Sequence, residues 1–171
     1  MRIAVKLSFD ERAALRLLNW LAQENAIILR SQPDLPLLYD SGVTYRRETD
    51  ETWCDYLNML AQGHEDCDGL AAARAGELVA RGWRALKPGD QGFAEAEREQ
   101  PGSVPAEVML TTRSRSDEPG LYHCIVRYRV GAQWFRDDPS ARLGMNGGRI
   151  DPLVKQRWAA RAGDGGAWRT A

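Results

Sequence analysis

Cysteine and histidine are scarce in this 171-residue chain: three cysteines, Cys54, Cys67 and Cys124, and two histidines, His64 and His123. An odd number of cysteines argues against a disulfide framework and for a reducing compartment. Cys54, His64, Cys67 and His123 are zinc-ligand types, but they lack the paired C-x-x-C spacing of strong zinc sites, so no metal is expected. Charge of either sign is not in excess: 23 Lys and Arg face 24 Asp and Glu, the net charge is −1 and the pI is about 6.1. A nucleic-acid partner calls for a basic balance or a basic stripe, and none is expected here. Lys155, Arg157, Arg161 and Arg169 do collect near one end, diluted by Asp151 and Asp164. Long apolar runs are also missing. No window of about 18 apolar residues exists, so no transmembrane helix and no membrane partner is expected. Residues 1–7 are too short and too polar for a secretory signal, which points to a soluble protein.

What is present is globular. With 43% hydrophobic and 27% charged residues, one domain over 1–171 can bury a sufficient core without staples. Residues 2–7 alternate loosely, as a short strand does. Ser8 and Glu11 then match a capping box, and Ala14, Leu17, Leu18 and Leu21 recur at helical spacing to about Glu24. Residues 26–29 either continue that helix or begin another element. Pro33 and Pro36 break the pattern, and 37–48 reads as an irregular, partly buried loop.

Trp53, Tyr56 or Leu57, and Leu60 predict a short helix ending near Gly63. A second apolar stripe, Cys67, Leu70, Ala71, Ala75, Leu78 and Val79, predicts a central helix closed by Arg81 and Gly82. Beyond it the pattern turns to strands: Trp83–Lys87, Val104–Thr112, and most clearly Leu121–Val130 with a hairpin return at Gln133–Arg136. Residues 88–101 read as a charged excursion, and 146–171 as a weakly ordered or partner-contacting tail carrying Trp158 and Trp168. Helices first and an antiparallel meander second make the class α+β.

The chemistry centres on Cys67. A helix N-terminus stabilises a thiolate and offers unpaired N–H groups to an oxyanion. Glu65, Asp66 and Asp68 oppose this by raising the thiol pKa, although Asp66 is a natural N-cap, so a cationic histidine is required to offset them. His64 is near in sequence but sits in a turn with nothing to orient it. His123 lies on the clearest strand, and the hairpin return delivers Asp138 to orient its imidazole. Asp137 is the alternative carboxylate. Cys54 and Cys124 are expected in the core, with Cys124 on the strand face opposite His123 and apart from the site. Arg127 and Arg129 share the His123 face as its solvated end.

Three segments carry a family resemblance over roughly residues 53–145. The run from Gly63 to Ala71 (Gly-His-Glu-Asp-Cys-Asp-Gly-Leu-Ala) resembles the nucleophile signature G-x-x-D-C-[DE]-[DG]-L-A of transglutaminase-like proteins, in the papain-like superfamily. Tyr122–Val126 resembles that family's histidine strand, and Asp138-Pro139-Ser140 its D-P-[ST] motif. Residues 38–48 are also similar to transglutaminase-like proteins encoded among bacteriophage structural genes. The resemblance implies a catalytic triad of Cys67, His123 and Asp138, no cofactor, and acyl transfer on a protein or peptide, including a peptidoglycan peptide. It also implies a virion or tail-assembly setting in the bacterial host cytoplasm, with other phage structural proteins as partners and a non-catalytic adaptor role as the alternative. Two departures stand out: Gly69 replaces a more usual acidic residue, and His64 a small one. The family's extra oxyanion donor has no certain match among Trp53, Tyr45 and Gln62.

Overall fold

A computed structural model describes residues 2–4, 11–47, 52–112 and 122–163. In chain order the elements are β1 (Arg2–Ala4), α1 (Glu11–Ser31), β2 (Thr44–Tyr45), β3 (Thr52–Cys54), α2 (Tyr56–Gln62) and β4 (His64–Glu65). They continue with α3 (Cys67–Arg81), α4 (Phe93–Glu99), β5 (Ala106–Thr112), β6 (Tyr122–Val130), β7 (Gln133–Asp137), α5 (Pro139–Arg142) and α6 (Pro152–Gly163). The chain is α+β, as the sequence predicts. Ser8 of the expected capping box, Leu121, and the tail from Asp164 with Trp168 lie outside the described residues.

The helix α3 is central, buried nearly all round, with its charged Arg74 and Glu77 paired inside. Every residue from Asp68 to Leu78 is buried, which is the pattern of a helix covered on several sides rather than along one stripe. On one side, Ala71, Ala72, Ala75 and Leu78 meet α1 and the sheet, in a core that includes Leu18, Leu21, Val108, Val126 and Tyr128. On another, Leu70 and Ala73 meet a second core built from Leu29, Tyr39, Tyr56, Met59 and Val154. The approach to α1 is close: a Cβ on Gly76 would stand 2.6 Å from the Ala22 carbonyl oxygen and 2.7 Å from Asn25 Cβ. Residues 26–29 do continue α1, since Ala26 and Leu29 keep its buried stripe in phase.

The main sheet is three-stranded and antiparallel in the order β5-β6-β7. Cys124, Val126, Tyr128 and Val130 alternate into the core while Arg127 and Arg129 face solvent, the two-residue period of a half-buried strand. The hairpin is shorter than β6. Its last pair is Val126 with Asp137, so β7 leaves the sheet before reaching His123.

Four expectations are corrected. Trp53 lies on β3, paired with β1, and the helix starts after it with Asp55 as N-cap. Residues 83–87 do not extend: the Trp83 N–H bonds Pro101 O at 2.9 Å and the Leu86 N–H returns to Trp83 O at 3.0 Å, giving a 3-10 turn over Gly82–Ala85. Within 88–101, α4 forms because Ala96 is fully buried between charged, exposed turns. The segment after 146 is ordered through α6, with Val154 buried and Trp158 half-buried against the second core.

A buried charge network explains α6, whose apolar stripe is too short to show in sequence. Arg74 on α3 is fully buried; its Nε donates to Asp137 at 2.9 Å and it also pairs with Glu77. Asp90 accepts from Arg142 and from Arg157 of α6, each at 2.9 Å. The Tyr39 ring lies under the Arg74, Arg142 and Arg157 guanidiniums at 4.6, 4.1 and 5.5 Å. Buried charges persist where each is paired, and removal of one partner strands the other.

Candidate active site

Gly63 ends α2 in the left-handed region (φ 74°), and two strand residues later the chain enters α3 at Cys67. Asp66 caps that helix, its side-chain Oδ1 accepting the Asp68 N–H at 3.3 Å. Asp68 in turn accepts the Gly69 N–H at 2.8 Å and the Trp53 indole N–H at 2.5 Å. The Leu70 N–H bonds Asp66 O at 3.1 Å. Of the first four N–H groups of α3, that of Cys67 is left for a ligand, the ordinary condition of a helix start.

His123 on β6 is 4% exposed, and its Nε2 lies 2.9 Å from Asp138 Oδ2. Asp138 caps α5, its other oxygen accepting the Ala141 N–H at 3.0 Å. One carboxylate thus ends the hairpin, starts a helix and holds an imidazole. Asp137 turns the other way, to Arg74. With Nε2 on Asp138, the same imidazole interacts with Cys67 strongly enough that each shifts the other's acid–base equilibrium.

Cys67 packs against the core that holds Cys124, and its thiol is influenced by Cys124 as well as by His123. This corrects the expectation that Cys124 lies apart from the site. The physical reason is that strand alternation describes the strand alone, whereas the start of α3 packs against the core that includes Cys124.

These contacts shape the acid–base state. Hydrogen bonding from Cys124, then from His123, outweighs burial and lowers the Cys67 thiol to about 5. Burial works against a charged His123, yet its bonds to Asp138 and Cys67 raise it to about 9. At neutral pH the pair is thiolate and imidazolium. Burial, with Asp68, Cys67 and Glu65 nearby, lifts Asp66 to about 11. It is then a neutral acid at pH 7, which removes one of the negative charges that the sequence sets against the thiolate.

The remaining residues singled out from sequence lie elsewhere. His64 Nε2 is 3.2 Å from Arg46 Nη1. Cys54 donates to Glu65 at 2.7 Å and receives Gln62 Nε2 at 3.4 Å. Trp53 is committed to Asp68, and Tyr45 packs half-buried against the second core. Among the described residues no group of three His, Cys, Asp or Glu side chains is gathered to hold a metal ion, and no helix is long and apolar enough to cross a membrane. Comparison with family models, curated proteins and solved structures finds no match.

Proposed function

We propose that the chain is a cysteine-dependent acyl-transfer enzyme acting on amides, with a papain- or transglutaminase-like arrangement of Cys67, His123 and Asp138. One observation carries the reading: His123 on the strand is held through Nε2 at 2.9 Å by the Asp138 carboxylate at the next corner, and the same imidazole supports the thiolate of Cys67 at the helix start. The Cys67 thiolate attacks an amide carbonyl carbon, and the developing oxyanion takes the Cys67 N–H. His123 gives its proton to the departing amine, leaving a thioester. His123 then takes a proton from water, which releases an acid, or from an amine, which gives a new amide. Asp138 keeps the imidazole oriented throughout.

A protein or peptide substrate is what the sequence resemblance implies for such a site. The phage-particle setting, the host cytoplasm and a peptidoglycan peptide rest on sequence resemblance alone. A second reading, a non-catalytic adaptor of a phage particle on the same scaffold, is favoured by the Trp53 indole, whose N–H is given to Asp68 and so is withheld from an oxyanion.

The test is the rate of Cys67 alkylation by iodoacetamide against pH, in the parent and in His123→Ala, followed by thioester trapping with small peptide amides. A thiol titrating well below the reference value of about 8.5, returned toward it in His123→Ala, supports the enzyme. An ordinary thiol indifferent to His123 leaves the adaptor.

A further inference from the structure

On β6 the residues in step with His123 are Ile125, Arg127 and Arg129, so the strand face that begins at His123 ends in two arginines. Across the sheet, Arg127 is paired with Glu107 on β5 and with Arg136 on β7, and Arg129 with Trp134 on β7. The side chains of Arg127, Arg129 and Arg136 are exposed. Trp134 is 52% exposed, and the Arg127 and Arg129 guanidinium carbons lie over its ring at 4.9 and 5.8 Å. Glu107 makes an ion pair with Arg127; among the described residues no carboxylate pairs with Arg129 or Arg136. Folding does not ask for this arrangement. Like charges directly opposite each other on neighbouring strands repel, and a half-exposed indole leaves apolar area in water.

We propose that this face docks an acidic, extended peptide segment, and that in the acyl-transfer reaction the segment belongs to the substrate. Charge complementarity selects the occupant: three guanidiniums stand against the single carboxylate of Glu107. A guanidinium takes a carboxylate through two parallel N–H bonds. Arg127 and Arg129 are two residues apart on one face, about 7 Å along the strand, which is also the spacing of alternate side chains in an extended peptide. A Glu-x-Glu or Asp-x-Asp segment therefore meets both forks, and the indole already stacked beside them takes an apolar neighbour. The patch lies four and six residues from His123 along β6, roughly 13 and 20 Å. An extended substrate covers that distance in about four to six residues.

The docking itself stands on the sheet face; that the docked segment is a substrate rests on the proposed function. A nucleic acid is the other polyanion that guanidiniums and an indole hold, but the chain as a whole carries a net charge of −1, and the cations are confined to one short hairpin.

The experiment uses fluorescein-labelled peptide amides that carry Glu-Leu-Glu at stepped distances from the reacting amide, with Gln-Leu-Gln twins. Fluorescence polarisation with the full chain carrying Cys67→Ala measures docking without turnover. The Glu peptide should bind about fivefold to thirtyfold tighter than its twin, and the margin should shrink as salt rises from about 50 to about 500 mM. In Arg127→Gln/Arg129→Gln the twins should bind alike, with circular dichroism verifying the fold, while Arg129→Lys keeps part of the preference. In thioester formation by the parent, the acidic pair should lower KM with kcat unchanged, most when it lies about four to six residues from the amide. Twins that bind equally in the parent, or a preference that survives the double variant or high salt, overturn the docking surface alone. Single-stranded DNA that displaces the Glu peptide at lower concentration makes the face a nucleic-acid surface and overturns the peptide. Peptides that dock with the expected preference yet never form a thioester keep the docking surface and remove the acyl-transfer reading.

Discussion

Asp137 and Asp138 are neighbours in the chain and turn to opposite sides: Asp137 accepts Arg74 Nε at 2.9 Å inside the protein, while Asp138 holds His123 Nε2 at 2.9 Å at the site. One carboxylate thus fixes the hairpin corner to the central helix, and the other uses the fixed corner to orient the imidazole. The two should separate in experiment. Asp138→Asn keeps the shape of the helix cap but loses the charge that favours imidazolium, and acyl transfer should fall by roughly 100-fold to 10,000-fold with little change in stability. Asp137→Asn should leave Arg74 short of a charge partner and lower unfolding free energy by about 2–4 kcal/mol. Urea unfolding alongside thioester formation checks both. Equal stability losses with no difference in rate would remove Asp138 from the mechanism.

The pH dependence follows from the Cys67–His123 pair. Thiolate forms as pH rises through about 5, and imidazolium is lost through about 9. Alkylation by iodoacetamide, which needs only the thiolate, should therefore rise through about 5 and already be fast at neutral pH. Acyl transfer also needs the His123 proton for the departing amine, so its rate should be bell-shaped, falling again through about 9. Cys124→Ala, which removes the donor altogether, should shift the acid limb upward, because Cys124 is the largest support of the thiolate. An acid limb unchanged in that variant would mean that His123 alone activates Cys67.

Much of this site is legible in the sequence, and what is hidden has a common cause. Cys67 shows itself as the first residue of an apolar helical stripe, and His123 by strand alternation. The choice of Asp138 over Asp137 rests on motif resemblance, since local pattern treats the two alike. The strand at Trp53 is hidden because its pairing partner is β1, some 50 residues earlier. The helix α6 is hidden because its anchor is the Arg157–Asp90 pair, contributed by two distant segments. Cys124 is misplaced because strand alternation says nothing of the helix start that packs against its core. In each case a long-range contact decides, and local periodicity does not carry it.

Asp66 gives a stability prediction of definite sign. The folded protein keeps its carboxyl proton up to about 11, whereas the unfolded chain releases it near the ordinary value of about 3.9. Between those limits the native state binds more protons than the unfolded state, so this group makes stability fall as pH rises, by at most about 1.4 kcal/mol per pH unit. Asp66→Asn retains the helix cap and removes the titration. Its melting temperature relative to the parent should therefore climb steadily from pH 4 to pH 8. Alkylation of Cys67 at pH 7 should change little, since a neutral acid is replaced by a neutral amide. Parallel melting profiles, or a sharply more reactive thiol, would show that Asp66 is ionised beside Cys67.

Gly69 tests why this chain departs from the acidic residue that the resembling signature usually has there. Glu65 is fully buried, accepts the Cys54 thiol, and lies across the helix start so that a Cβ at position 69 would stand 2.4 Å from Glu65 Cγ and 2.6 Å from its Cδ. The carboxylate present at 65 occupies the space that a side chain at 69 needs. Gly69→Asp should displace Glu65, strand the Cys54 thiol and the Asp66 N–H, and destabilise the fold by about 1–3 kcal/mol. Glu65→Ala loses the same two hydrogen bonds but opens the space. The double variant Glu65→Ala/Gly69→Asp should then be less destabilised than the sum of the single changes, by about 0.5–3 kcal/mol of coupling. Urea denaturation of the four proteins measures that coupling directly. Simple additivity would mean that Glu65 moves aside without penalty, and that the glycine at 69 answers to something other than the space its neighbour fills.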